Sequence, residues 1–183
     1  MHRDLVAKSA FLFAAVASLV MTAPSNATAA AKATPLSWTT FKNRGGWSID
    51  YPHGWAVSSC HVCRDPAAPG ISVSFTGPRD DDFVMVEPLA DKPAAQTAAQ
   101  WLNEIAATAN LNTIVEKHPA SLDGHFALVV RYRFADGTPW DEIYVADGNR
   151  TFQIGPLPTQ APSLPVLRHM VATFKTRPVK PGH

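Results

Sequence analysis

The sequence predicts an α+β domain, an antiparallel β-sheet covered by amphipathic helices in an α/β/α sandwich. Three observations predict it. Short runs of alternating apolar and polar residues are joined by tight-turn residues such as Asp136-Gly137 and Asp147-Gly148-Asn149. One central segment changes to helical spacing, and a second helical segment closes the chain. Hairpin-length connections require antiparallel pairing, because parallel neighbours need long crossovers.

In chain order, "GWSIDYP" places Trp47, Ile49 and Tyr51 on one side of a strand, and Pro52-His53-Gly54 turns the chain into a second short strand, "WAVSS". "ISVSF" and "DFVMVEPL" read as the next two strands, with the acidic run Asp80 to Asp82 between them as a solvated turn. In "PAAQTAAQWLNEIAATANL" the apolar positions Ala98, Trp101, Leu102, Ile105 and Ala109 recur at helical spacing, and Pro93 suits a first helical turn. "NTIVEKHP" is a strand, followed by a turn at Leu122-Asp123-Gly124.

The longest strand is "HFALVVRYRF": Phe126, Leu128, Val130, Tyr132 and Phe134 share one face, and Arg131 and Arg133 fall on the other. "WDEIYVADG" and "RTFQIG" continue the hairpin series. "SLPVLRHMVATF" is a helix that Ser163 can cap, with Leu164, Leu167, Val171 and Phe174 along one side.

The N-terminus has the order of a secretory signal peptide: Arg3 and Lys8, then the apolar run Ala10 to Ala23, then Ala27-Thr28-Ala29 as an A-x-A cleavage signal. The run is shorter than the ~20 residues of a membrane span, with a single uncleaved anchor as the alternative. The expected organisation is a signal peptide at 1–30, a flexible leader at 31–40, one domain at 41–176 and a loose tail at 177–183. This places the mature protein in the periplasm or outside the cell, with no stable membrane span once the signal is removed.

The full chain carries a formal net charge of +1, and removing residues 1–30 leaves fourteen basic and fourteen acidic residues. A neutral domain has no broad basic face, which argues against nucleic acid as the partner.

"GWSIDYPHGW", the helix with "AAQWLNEI" and the closing "GPLPTQAPSLPVLRHMVATFK" together resemble the PsbP-like superfamily over roughly Phe41 to Lys175. That superfamily is named for an extrinsic subunit of photosystem II and includes exported bacterial relatives of unassigned function. The resemblance implies a helix-sandwiched sheet and a role in binding or assembly rather than catalysis. It supplies no universal catalytic residue, and none is assigned.

The two cysteines, Cys60 and Cys63, stand outside those motifs in "SSCHVCRDP". "RDPAAPG" follows them, so a thioredoxin-like pair at a helix N-terminus is disfavoured. A zinc site needs two further ligands, and His53, His118, His125 and His169 are scattered along the chain. The favoured reading for an exported protein is a short disulfide worth ~1–2 kcal/mol that pins a loop.

No G-x-S-x-G elbow accompanies His125, Asp123 and the serines. Asp141 and Glu142 are adjacent, so a strand points them to opposite faces. No metal or cofactor is expected. Trp140 and Asp141, in the "GTPWDE" hairpin, and Arg131 and Arg133, on the preceding strand, are the candidate partner contacts, the arginines alternatively pairing across strands with acids such as Glu142.

The leading expectation is therefore a non-enzymatic exported domain that contacts a protein or a cell-envelope component. The alternative is a periplasmic thiol-disulfide or metal-handling protein that uses Cys60, His61, Val62 and Cys63.

Overall fold

A computed structural model describes residues 36–59, 65–108 and 113–178. The signal-peptide reading and the Cys60–Cys63 pair lie outside the described residues. Within them, ten strands and two helices run in the order β1 Trp38–Asn43, β2 Trp47–Pro52, β3 Ala56–Ser59, β4 Val73–Thr76, β5 Phe83–Pro88, α1 Ala98–Thr108, β6 Thr113–Leu122, β7 His125–Arg133, β8 Pro139–Asp147, β9 Arg150–Pro158, α2 Leu164–Ala172 and β10 Lys175–Thr176.

The strands form a seven-stranded sheet in the order β3-β4-β5-β9-β8-β7-β6 and a three-stranded sheet in the order β1-β2-β10. Every pairing is antiparallel. Strand period decides the layers. On β7, Ala127 enters one core, while Leu128, Val130 and Tyr132 enter another. On β8, Val145 and its neighbours Tyr144 and Ala146 divide the same way.

The larger core packs the seven-stranded sheet against Trp47 and Ile49 of the small sheet and Leu167, Met170 and Val171 of α2. On the opposite face, Leu102 and Ala106 of α1 bury against β7 and β8. The α+β sandwich expected from the sequence is the observed architecture, with the small sheet sharing the α2 layer.

Several expectations are corrected. β1 starts at Trp38, so Trp38 to Thr40 are paired strand residues instead of leader; Trp38 pairs with Pro52 and stacks on His169 at 4.1 Å between ring centroids. Lys175 and Thr176, the last residues of the expected domain, pair with Ser48 and Trp47 as a short strand that was not foreseen. β2 and β3 are not a hairpin, because the Pro52–Gly54 turn carries the chain from one sheet to the other.

Pro93 lies in a turn, and α1 begins after Thr97, where a reciprocal box forms. Gln100 N donates to Thr97 Oγ1 at 3.2 Å, and Thr97 N donates to Gln100 Oε1 at 3.2 Å. Ser163 precedes α2 without capping it; its hydroxyl donates to Asp81, 2.9 Å from both the backbone and a carboxylate oxygen. The Ser163 bond is the main reason the Asp81 carboxyl sits below its ordinary range.

Nor is the acidic run merely solvated. Asp82 is 2% exposed and receives Arg79 Nη2 at 2.8 Å. That bond leads the causes that raise the Arg79 guanidinium further. Gly77 beside it is required by space: a Cβ there would lie 2.5 Å from Trp55 Cε2 and 2.6 Å from Asp82 Cβ.

The β6–β7 turn puts both Asp123 (φ 52°) and Gly124 (φ 79°) in the left-handed region, the pattern of a two-residue I′ hairpin. That turn fixes the register that brings His125 to the sheet end.

Candidate functional site

The four residues selected from the sequence meet around the β7–β8 hairpin. Its register sets Arg131 opposite Asp141 and Tyr132 opposite Trp140. Arg131 donates from Nε to Asp141 Oδ1 at 2.7 Å and from Nη2 to Asp141 Oδ2 at 3.0 Å, and Nη1 reaches Glu116 on β6 at 3.4 Å. The Asp141 bond is the largest influence holding the Arg131 guanidinium even more firmly protonated than usual. Asp141 is buried, so Arg131 is first of all its internal counter-ion.

Glu142 is therefore not the partner of Arg131. It sits opposite Val130 and points to the α1 face, as alternation requires. There it accepts the hydroxyls of Tyr132 at 2.5 Å and Tyr144 at 2.6 Å. Burial chiefly, then Glu142, pushes both phenols far above the ordinary tyrosine range.

Arg133 is exposed and donates to Gly137 O at 3.3 Å. Trp140 is half-buried and packs edge-on to Phe134 at 4.9 Å. Phe134 itself is 36% exposed, which makes it the apolar element of this edge that solvent reaches. The sequence assigned Phe134 to the core face. It lies one residue past the end of β7.

A second site was not read from the sequence. A cleft of about 490 Å³ is lined by His125, Asp147, Gly148, Asn149, Arg150, Thr176, Arg177 and Pro178. Three turns or strand ends supply it: the start of β7, the β8–β9 turn and β10. His125 Nε2 lies 2.9 Å from Thr176 Oγ1, and His125 Nδ1 lies 3.5 Å from Asp147 Oδ1.

The hydroxyl–imidazole–carboxylate order has the distances of a nucleophile and its base, but acyl transfer also needs donors for an oxyanion. Thr176 N is spent on Asp123 Oδ2 at 2.9 Å, and Arg177 N on Gly46 O at 2.7 Å. The cleft is a polar recess in which the backbone N–H groups of Thr176 and Arg177 are already occupied.

Arg150 forms its back wall. Nη1 donates to Gly45 O at 3.0 Å and Nη2 to Arg177 O at 3.0 Å, with the Asp147 carboxylate as a further partner. The guanidinium also lies 5.7 Å from the centre of the Phe152 ring. This one side chain on β9 ties the large sheet to the β1–β2 turn and to β10.

Among the described residues no group of three or more His, Cys, Asp or Glu is arranged to hold a metal ion, and no helix is long and apolar enough to cross a membrane.

The layering, with α1 on one face of a seven-stranded antiparallel sheet and α2 with a small sheet on the other, is a PsbP-like α+β fold. The chain is similar to the solution structure of cyanobacterial PsbP (CyanoP) from Synechocystis sp. PCC 6803. The TM-score is 0.54 at 12% sequence identity, over 80% of this chain and 96% of that one. At that identity the likeness establishes the fold. The sequence matches no protein-family model and no curated protein.

Proposed function

We propose that this chain is an exported, non-enzymatic binding domain that contacts a protein of the cell envelope through the tip of the β7–β8 hairpin. The observation that carries the reading is the PsbP-like fold, matched over 96% of the length of cyanobacterial PsbP. The resemblance of "GWSIDYPHGW" and the closing helix to that superfamily points to the same role.

Residues 1–30 serve as the cleaved signal peptide in this proposal, and the folded domain begins at the first strand. The hairpin tip supplies an exposed apolar ring, Phe134, beside an exposed cation, Arg133, with Trp140 packed behind. An aromatic anchor rimmed by charge is the usual make-up of a protein contact.

Site-specific photocrosslinking in the host envelope tests this. A benzoylphenylalanine at Phe134 should give one discrete adduct, weakened by Arg133→Glu. The same probe at Ala107, on the exposed side of α1, should give none. Equal or absent adducts at both positions would remove the hairpin from the proposal. Recovery of the uncleaved chain in the cytoplasm would remove export.

A further inference from the structure

We infer that the outer edge of β1 pairs with the same edge of a second copy of this chain, joining the two small sheets into one. The inference goes beyond the partner-binding proposal and does not rest on it, because β1 and the β7–β8 hairpin belong to different sheets.

A sheet edge is a row of unpaired N–H and C=O groups, and proteins usually blunt it. Among the described residues the edges are β3 and β6 of the large sheet and β1 and β10 of the small one. β6 is interrupted by a bulge between Ile114 and Glu116 and contains Pro119, and its Glu116, Lys117 and His118 are exposed. β3 has only four residues and β10 two. β1 has six, "WTTFKN", with no proline, no bulge and a single charge, Lys42.

The register shows which backbone groups this edge offers. His53 N donates to Ser37 O at 2.8 Å, so Ser37 and His53 are a hydrogen-bonded pair. By alternation Thr39, Phe41 and Asn43 also turn their backbone groups toward β2, and Trp38, Thr40 and Lys42 turn theirs away. Pro52, which has no N–H, lies opposite Trp38, where β2 gives β1 none. One step further along, the outward N–H of Arg44 is already taken by Ala67 O at 2.8 Å. The free edge therefore runs from Trp38 to Lys42, with Thr40 and Lys42 exposed and Trp38 half-buried.

Such an edge fits itself. A two-fold axis at Thr40 sets Thr40 opposite Thr40, and Trp38 opposite Lys42 of the second copy, each as a hydrogen-bonded pair. Threonines pair favourably across strands, and an ammonium is attracted to an indole ring. Both side chains are already held: Thr40 Oγ1 donates to Asp50 Oδ1 at 2.6 Å, and the Trp38 ring lies 4.1 Å from that of His169. An axis at Lys42 would oppose two like charges and run into Ala67, and an axis at Trp38 would leave Lys42 unpaired. The one charged side chain of β1 thus selects the register.

The test is sedimentation velocity of the mature protein over a wide concentration range. One short strand edge buries less than the ~1,200 Å² of a stable complex, so the dimer should form with a Kd on the order of 100 µM. A dilution series of amide spectra locates the contact. The amides of Trp38, Thr40 and Lys42 should shift with concentration and exchange more slowly in the dimer, while those of Thr39 and Phe41 stay protected in both states. Thr40→Pro removes the central outward N–H and no β1–β2 backbone bond, and should weaken dimerisation about tenfold or more with an unchanged circular dichroism spectrum. Thr40→Val loses the same Asp50 bond but keeps the N–H, and should still dimerise.

A monomer throughout the range would overturn the inference and leave the edge to a strand of another protein. A dimer whose concentration-dependent amides lie outside β1 would overturn it too, as would a dimer that Thr40→Pro leaves intact. Wild type carries the first two readings, so a Thr40→Pro variant that fails to fold does not spare the inference.

Discussion

Arg131 on β7 grips Asp141 on β8 with two hydrogen bonds, Nε to Oδ1 at 2.7 Å and Nη2 to Oδ2 at 3.0 Å. The fork geometry is one that lysine cannot reproduce. The carboxylate end is nearly closed, with 11% of the Asp141 side chain exposed against 34% for Arg131. The pair is thus intermediate between a surface bridge and a buried one. Its two residues, read from the sequence as contacts for a partner, are partners of each other.

Truncation of Arg131 should then cost more than truncation of an ordinary surface arginine. Arg131→Ala leaves a buried carboxylate without its cation, and ~1–3 kcal/mol of stability should be lost. Arg131→Lys should recover part of that. Urea unfolding of the single variants and the Arg131→Ala/Asp141→Ala double variant gives the coupling directly. Additive losses would mean that the two bonds contribute nothing as a pair.

The other face of the same hairpin responds to alkali. Tyr132 and Tyr144 both donate to Glu142, and burial first, then this carboxylate, raises both phenols far above the ordinary value. A raised folded-state pKa means the native protein keeps protons that the unfolded chain releases. The stabilisation is complete below the ordinary tyrosine pKa of about 10 and declines as pH rises past it. The urea midpoint should fall between about pH 8 and pH 11, and fall less steeply in Tyr132→Phe/Tyr144→Phe. Phenolate absorbance of two of the three tyrosines should emerge only with unfolding. Early ionisation of all three, in the folded state, would contradict the buried arrangement.

This trio shows what the chain did and did not disclose. Alternation in "HFALVVRYRF" and the Asp136-Gly137 turn were enough to assign the faces of the long strand and an antiparallel hairpin, but not its register. Counting back from a two-residue Asp136-Gly137 turn sets Arg131 against Glu142; the actual connection is one residue longer, with Phe134 N donating to Thr138 O at 3.1 Å, and this shift sets Arg131 against Asp141 instead. Both helices were legible because their apolar stripes repeat over two or more turns.

What stayed hidden has a common cause. β10 is two residues long, too short to display a period, and β1, "WTTFKN", is long enough but shows no clear apolar alternation. The Asp81–Ser163 bond spans 82 positions, and His125 meets Thr176 across 51. Such contacts depend on how the layers stack, which local spacing does not encode.

Arg150 is where that stacking depends most on a single side chain. It was read only as the first residue of the strand "RTFQIG", yet it donates to Gly45 O and Arg177 O and pairs with Asp147. Lysine gathers its donors on one nitrogen and lacks the planar fork that meets Gly45 O and Arg177 O from two different nitrogens. Arg150→Ala should therefore cost ~2–3 kcal/mol, and Arg150→Lys only slightly less. The loss should also be local. The Arg177 amide, which donates to Gly46 O, and the Thr176 amide, which donates to Asp123, should exchange with solvent faster in either variant. Amides of α1, which packs on the opposite face, should keep their protection under native conditions. Hydrogen exchange read residue by residue separates the outcomes. Selective loss at β10 identifies Arg150 as the tie between the two sheets, whereas uniform loss would reduce it to one contributor to global stability among many.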